Sequence, residues 1–138
     1  MNYSRRDLSL LLPALAAASA GAADTGALPS KIFAYDEMPA RNNGRSVLNG
    51  KTHKGINIES HLTQLAPGTA PHPPHRHEHV EMMFVREGTM EVMISGATKR
   101  IGPGGVVYVA SNEEHGWKNV GTTTAHYFVL TVGMETRS

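Results

Sequence analysis

Short apolar stretches separated by glycine, proline and asparagine restrict this chain to a fold built from β-strands. The clearest stretch is residues 55–66, in which Ile56, Ile58 and Leu62 alternate with polar residues, as in a half-buried strand with one polar face. Similar stretches recur at intervals of roughly 8–12 residues, which is typical of small β-sandwiches and barrels. No segment beyond the N-terminal region keeps a helical period over two turns. The sequence therefore predicts an all-β fold.

The predicted strands are bounded by residues that favour turns. Asn49-Gly50 and Glu87-Gly88 are expected to form tight turns, and Pro67-Gly68 is expected to end the strand over 55–66. We expect strands over residues 32–35, 45–48, 55–66, 81–85, 89–95, 99–101, 106–110, 115–119 and 124–132. The segment 32–35 precedes the barrel and is apolar enough to need a partner strand, which favours a homodimer.

The first twenty residues resemble an export signal of the twin-arginine type. Arg5 and Arg6 precede an apolar stretch over 8–20, which ends in the cleavage pattern Ala18-Ser19-Ala20. A transmembrane anchor is the alternative, although Pro13 interrupts the stretch and a spanning helix needs ~20 apolar residues. We expect an export signal over 1–20, a flexible linker over 21–31 and a β-barrel domain over 32–138, in a protein exported to the periplasm or beyond the cell.

The charge of the mature chain excludes one class of partner. Without residues 1–20, Lys plus Arg falls from 13 to 11 and Asp plus Glu from 12 to 11, so the net charge changes from +1 to 0. No basic run remains, and we therefore expect no nucleic-acid partner. The chain has no cysteine, so the fold must be stabilised by its apolar core, by bound metal or by a partner subunit.

Four histidines lie within eight residues, at His72, His75, His77 and His79. The imidazoles of His75 and His77 point to the same face of an extended strand, and Glu81 can reach that face through a short turn or strand. Imidazole nitrogens and a carboxylate oxygen are ligands that Fe, Mn, Co, Ni, Cu and Zn bind. We interpret this segment as a metal site; a solvated, histidine-rich loop is the alternative.

Two motifs in this region resemble those of the cupins, which are small β-barrel proteins of the jelly-roll type. The first cupin motif contains His-x-His, then Glu, then Gly, and here it runs His75-Arg76-His77, Glu81 and Gly88. The second begins with Gly and ends with His and Asn, and here it runs from Gly104 through His115 to Asn119. With the flanking strands, the resemblance covers nearly all of the mature chain.

The chain departs from the cupin pattern at three positions. Gly68 is one residue further from His75 than in the family, Ala110 replaces the proline of the second motif, and Asn112 replaces its middle glycine. Asparagine is the best substitute for glycine in a left-handed backbone conformation. We therefore expect the turn at Asn112 to be preserved.

The resemblance implies a mononuclear metal site inside a cupin-type β-barrel, also called a double-stranded β-helix or jelly roll. Its ligands would be His75, His77, Glu81 and His115, near the barrel mouth. We expect one divalent transition metal per chain, which could be Fe, Mn, Ni, Cu or Zn. Four such ligands leave one or two positions open on a metal that prefers five or six, whereas a closed tetrahedral zinc site is the alternative.

The predicted function follows from that site. We expect an enzyme that acts on a small oxygen-chelating molecule by oxidation, as a dioxygenase does, or by carbon–carbon cleavage, with His79 and Glu81 as the catalytic residues that move protons. Glu113 is a further candidate for proton transfer. A sugar or keto-acid isomerase and a non-enzymatic metal or ligand binder are the alternatives.

Several other residues are candidates for the pocket. His61 and His126 lie on strand faces that could line the barrel interior, and Trp117 and Tyr127 could stack on a ligand or pack in the core. The methionines Met82, Met83, Met90 and Met93 are expected to pack in the core rather than to bind copper. The expected partners are a small-molecule ligand and a second copy of the chain, with no stable membrane insertion after cleavage.

Overall fold

The computed structural model describes residues 26–133, and the expected export signal lies outside the described residues. This part of the chain forms nine β-strands and a single 3-10 turn, Tyr35–Glu37, and contains no α-helix. The all-β prediction is therefore confirmed. Over residues 26–133, no helix is long and apolar enough to cross a bilayer.

The strands form two antiparallel sheets. Their bounds are β1 Ala40–Arg41, β2 Gly44–Lys51, β3 Asn57–Leu65, β4 Val80–Glu87, β5 Met90–Ile94, β6 Ala97–Ile101, β7 Val106–Val109, β8 His115–Asn119 and β9 Ala125–Gly133. One sheet has six strands in the order β1-β2-β3-β9-β4-β7, and the other has three in the order β6-β5-β8. Because β3 and β4 both pair with β9, residues far apart in sequence share one inner surface.

The apolar core lies between the two sheets and follows the alternation of the strands. Met83 and Val85 of β4 and Met90 of β5 are at most 1% exposed, as the pattern of these strands predicts. Met82, in contrast, is 42% exposed on the outer face of β4, so the core position expected for it is wrong. The residues before and after it, Glu81 and Met83, point inward. Consecutive side chains of a strand point to opposite faces, so Met82 must point outward.

The polar face of β3 points into the barrel. Thr63 and Leu65 on this face are buried, whereas Ile58 and Leu62 on the opposite face are only partly covered. His61 shares the inner face with Thr63 because residues two apart on a strand point to the same side. The prediction that His61 could line the barrel interior is confirmed.

The expected strand over residues 32–35 is not formed. Residues 30–34 have no regular structure, and Ile32 is 92% exposed. Tyr35 is held through its side chain instead: its hydroxyl oxygen accepts a hydrogen bond from Gln64 at 3.3 Å, and the Arg45 guanidinium lies 5.2 Å from its ring centre. These side-chain contacts take the place of strand pairing.

The turn expected at Asn49-Gly50 is also absent, because both residues lie within β2. The chain reverses later, where Gly55 has a φ of 75° and its N–H donates to the carbonyl of Thr52 at 2.9 Å. Gly50 serves another purpose: a Cβ atom at this position would lie 2.7 Å from Cγ of Leu28. The glycine makes room for a side chain that precedes the barrel.

Candidate metal centre

The two sequence motifs are joined by backbone hydrogen bonds. His75 lies in the segment between β3 and β4, and His115 is the first residue of β8. The N–H of each donates to the carbonyl of the other at 3.0 Å, which forms an isolated antiparallel bridge. This bridge fixes the histidine-rich segment against the sheet that carries the second motif.

Asn112 provides a second link between the motifs. Its N–H donates to the carbonyl of His77 at 2.8 Å, and its φ of 61° is left-handed. The expectation that asparagine preserves this turn is confirmed. Residues other than glycine rarely adopt this conformation, and asparagine tolerates it best.

Backbone carbonyls determine which ring nitrogen carries the proton in two of the histidines. Nδ1 of His77 donates to the carbonyl of His79 at 2.8 Å, and Nδ1 of His115 donates to the carbonyl of Glu113 at 2.9 Å. A carbonyl oxygen can only accept, so both Nδ1 atoms are protonated. In the neutral rings, Nε2 is then left with a lone pair, which is the state of a histidine that binds metal.

Both Nε2 atoms face the same carboxylate oxygen. Oε2 of Glu81 lies 2.9 Å from Nε2 of His77 and 3.1 Å from Nε2 of His115. Glu81 is 7% exposed and His115 is fully buried. Two imidazole lone pairs and a carboxylate oxygen repel one another at these distances, and a metal cation or a proton among them relieves the repulsion.

The separations fit ligands on one metal ion. Two atoms that each lie about 2.1 Å from an ion are about 3.0 Å apart at a right angle and about 3.4 Å apart at a tetrahedral angle. The distances of 2.9 Å and 3.1 Å are compatible with atoms that bind one ion.

His75 supplies a further donor. One nitrogen from each of His75, His77 and His115 lies within 4.8 Å of the others. Nδ1 of His75 is buried and has no hydrogen-bond partner, which in a native protein usually indicates an ion or water. Burial, followed by the neighbouring His72, His115 and His77, lowers the pKa of His75, which favours its neutral, ligating form.

His79 lies beside the cluster. Its ring stacks on that of His77, with centroids 3.6 Å apart and planes 11° apart. Ligand atoms of His77, His79 and Glu81 also lie within 4.8 Å of one another. His79 lines a surface cavity of about 380 Å³ that is separate from the one Glu81 lines.

A cavity of about 290 Å³ opens beside Glu81. Trp117 and Tyr127 both line this cavity, so the two aromatic candidates lie at the pocket. Their rings pack edge to face, and the ring centroids are 6.1 Å apart. Burial raises the pKa of Tyr127, so its hydroxyl remains protonated. The other lining residues are Arg41, Asn43, His61, Leu62, Thr63, Pro71 and His72.

Two candidates for proton transfer lie away from this cavity. His126 lines an outer groove with Phe84 and Phe128, so the interior position considered for it is wrong. The carboxylate of Glu113 accepts a hydrogen bond from the hydroxyl of Ser95 at 2.8 Å, and its carbonyl orients His115. Arg41, in contrast, was not identified from the sequence, because no motif connects β1 with the site.

A two-sheet β-barrel with a cluster of histidine and carboxylate side chains that could hold a metal is the architecture of a cupin. The chain belongs to the Cupin_2 family: the family model described as a cupin domain matches residues 61–132. That range contains the four proposed ligands. No match was found among curated proteins.

Solved structures show the same fold. The chain is similar to an RmlC-like cupin from Shewanella frigidimarina (18% identity, 77% of this chain, 94% of that chain, TM-score 0.61). It is also similar to a predicted oxalate decarboxylase from Thermotoga maritima (17% identity, 75% of this chain, 100% of that chain, TM-score 0.57). It covers less than two thirds of the cupin domain of Cnp3 from Schizosaccharomyces pombe (15% identity, 66% of this chain, 64% of that chain, TM-score 0.59). At these identities the likeness concerns the fold.

Proposed function

We propose that this chain is a metal-dependent cupin enzyme that acts on a small molecule able to chelate the ion through two oxygen atoms. The observation that carries the proposal is the approach of two imidazole Nε2 atoms to Oε2 of Glu81, beside a cavity. A purely structural ion would not need a cavity at the ligands. An ion with open positions does, because substrate must reach it.

The chain's own residues hold the ion, carry protons and contact the substrate in this proposal. His75, His77, Glu81 and His115 hold the ion, which when bound supplies Lewis-acid or redox chemistry as Fe, Mn, Ni, Cu or Zn. His79 and Glu81 are the proposed proton carriers, and the stacking of His79 on His77 keeps its ring within reach of the cluster. Trp117 and Tyr127 offer a wall against which a planar substrate can pack.

The size of the cavity favours a small substrate. Its volume of about 290 Å³ is at the lower end of the ~300–1,000 Å³ found for ligand pockets. Oxidation of the dioxygenase type or carbon–carbon cleavage of a small chelator fits this space, and the likeness in fold to a predicted oxalate decarboxylase agrees with that choice. A sugar or keto-acid isomerase is the second enzymatic candidate.

A binding protein that captures metal or a small ligand without converting it is the alternative from another class. A binder needs only ligands and packing surfaces, whereas an enzyme needs an acid or base beside the open position.

We further propose that the protein is exported through its twin-arginine-like segment. Mass spectrometry of the secreted or periplasmic protein would then find a mature N-terminus near Gly21.

The decisive experiment is elemental analysis of protein purified without a histidine tag, beside a His75→Ala/His115→Ala double variant. His126→Ala is the matched control, because this histidine lies in the outer groove. We expect about one Fe, Mn, Ni or Cu ion per chain in the wild type and the control, and none in the double variant. Zinc alone would favour an isomerase or a structural role. Absence of metal from the wild type would overturn the proposal.

A further inference from the structure

Three side chains outside the metal cluster form a chain of contacts beside the same cavity. Nη1 of Arg41 donates to Oε1 of Glu59 at 2.8 Å. Nδ1 of His61 lies 3.0 Å from that oxygen and 3.2 Å from Oε2. Arg41 comes from β1, whereas Glu59 and His61 are two residues apart on β3, so the arrangement depends on the fold.

This arrangement determines the protonation of the His61 ring. An ionised carboxylate can only accept hydrogen bonds, so the contact with Glu59 places a proton on Nδ1 of His61. Nε2 is then the nitrogen that can take a proton from another molecule. Arg41 restrains the carboxylate through its own hydrogen bond. A histidine oriented by a carboxylate in this way is a recurrent form of general base.

His61 and Glu81 lie on the two strands, β3 and β4, that flank β9. In the register of the sheet, His61 lies opposite Val129 of β9, and Glu81 lies opposite Thr131 of β9. Two strand spacings and an offset of two residues along the strands separate the two backbones by about 12 Å. Both side chains line the cavity of about 290 Å³, so a molecule held there can contact His61 and, of the proposed ligands, Glu81.

We propose that His61 is the general base of this cavity, that Glu59 is its positioning residue, and that the substrate carries a C–H group beside a carbonyl. This inference rests on the proposed function, because the acidity of that C–H depends on the cation held by the cluster. Small keto acids and hydroxy ketones are the substrate class with these properties.

The proposed step is a proton transfer that needs no oxidant. Nε2 of His61 takes the proton from carbon, the C–H bond breaks, and its electron pair forms the carbon–carbon double bond of an enolate while the carbonyl electrons move to oxygen. Return of the proton from the imidazolium to carbon restores the base. The same abstraction begins the isomerisation of a keto acid or hydroxy ketone.

The tautomer of His61 tests the positioning role without reference to activity. In the full chain, labelled with nitrogen-15 and loaded with Zn²⁺, long-range proton–nitrogen spectra of the histidine rings should show His61 protonated at Nδ1. Glu59→Ala should remove this preference and Glu59→Asp should restore it, while the spectra of His77 and His115 stay unchanged. A wild-type His61 protonated at Nε2 alone would overturn the inference.

Solvent exchange tests the base. Wild-type protein is mixed with pyruvate or dihydroxyacetone in deuterium oxide, and incorporation of deuterium beside the carbonyl is followed by proton NMR. We expect His61→Gln to slow exchange by about 100-fold or more, in keeping with general-base catalysis, and Glu59→Ala to slow it less. His126→Gln should match the wild type.

Metal content separates the two proposals. The His61→Gln and Glu59→Ala variants should retain the wild-type amount of metal by elemental analysis. Exchange that is lost while metal is retained supports the base. Exchange at the wild-type rate in His61→Gln, or no exchange by the wild type above the rate of the His75→Ala/His115→Ala variant, would overturn the base and leave the metal centre standing.

Discussion

Nε2 of His115 lies 3.1 Å from Oε2 of Glu81, although the two residues are 34 positions apart in the chain. Glu81 lies on β4 in the first motif, and His115 is the first residue of β8 in the second motif. The contact therefore joins the six-stranded sheet to the three-stranded sheet. Neither side chain can be exposed to water to relieve it, because both are buried. A bound cation would stabilise this buried pair of ligand atoms.

Replacement of Glu81 by Gln should remove the carboxylate charge and disrupt the metal site. The neutral amide supplies a weaker ligand and no charge, so we expect metal affinity to fall by at least about 100-fold. In the wild type, a chelator should lower the melting temperature, since ligand at 1,000 times its dissociation constant stabilises a fold by about 4 kcal/mol. Calorimetric titration and thermal melts would measure both effects. A Glu81→Gln protein with wild-type affinity would contradict the ligand assignment.

The left-handed turn at Asn112 should tolerate glycine but not a β-branched residue. Asn112 is exposed, so a substitution there changes the backbone conformation rather than the core. We expect Asn112→Val to reduce the free energy of unfolding by about 1–2 kcal/mol, whereas Asn112→Gly should change it little. Urea denaturation followed by fluorescence of Trp117 is the measurement. Equal stabilities of the two variants would show that the turn is not strained.

Gly88 should be intolerant of any side chain. Its φ is 89°, and a Cβ atom would lie 2.7 Å from the Cα and Cβ atoms of Ala125. We expect Gly88→Ala to destabilise the fold by about 2–4 kcal/mol. Gly96→Ala is the matched control, because Gly96 has a φ of 84° with no atom within 4 Å of the added Cβ. The control should cost only about 1–2 kcal/mol, so the difference in denaturant midpoint isolates the steric contact.

Asn119, the last residue of the second motif, should be essential for stability rather than for metal binding. It is fully buried, and its Nδ2 donates to the carbonyls of Leu65 and Thr123, both at 2.8 Å. Asn119→Ala leaves those carbonyls without this donor, so we expect a loss of about 2–4 kcal/mol. The exposed Asn49→Ala should change stability by less than about 0.5 kcal/mol. Metal content per folded chain should be unchanged in both variants.

An apolar patch on the outer face of the long sheet is the surface on which we expect a second copy to bind. The patch consists of Met82, Phe84, Val106 and Tyr108, which are 42–58% exposed. Met82 pairs with Tyr108 and Phe84 with Val106, so the four side chains adjoin one another next to the edge strand β7. An apolar surface of this kind indicates an interface, and the same patch on two copies can meet about a two-fold axis.

Charge reversal of the patch should therefore yield monomers. We expect the wild type to be a dimer in size-exclusion chromatography with light scattering, and Phe84→Glu/Tyr108→Glu to be monomeric. Thr98→Glu, an exposed change on the short sheet, should remain dimeric. A monomeric wild type at micromolar concentration would contradict this expectation. Retention of the dimer by the double variant would move the interface to another surface.

The strand β8 illustrates what local pattern can predict. Its bounds, 115–119, match the expectation because turn-forming residues precede it and follow it in the sequence. The segment 32–35 illustrates the opposite case. It is as apolar as a strand, but pairing depends on a free edge in the right place, and local sequence does not contain that information.

The sequence by itself determined the all-β class and the residue types and spacing of the candidate metal site, because strand alternation and the donor preferences of metals are local properties. Only the tertiary structure decided which face of β3 points inward, that Arg41 and Glu59 orient His61, and that Glu81 meets His115. An alternating pattern defines two faces without saying which one is covered. Contacts between residues tens of positions apart arise only when β3 and β4 both pair with β9 and bring their inner faces to one cavity.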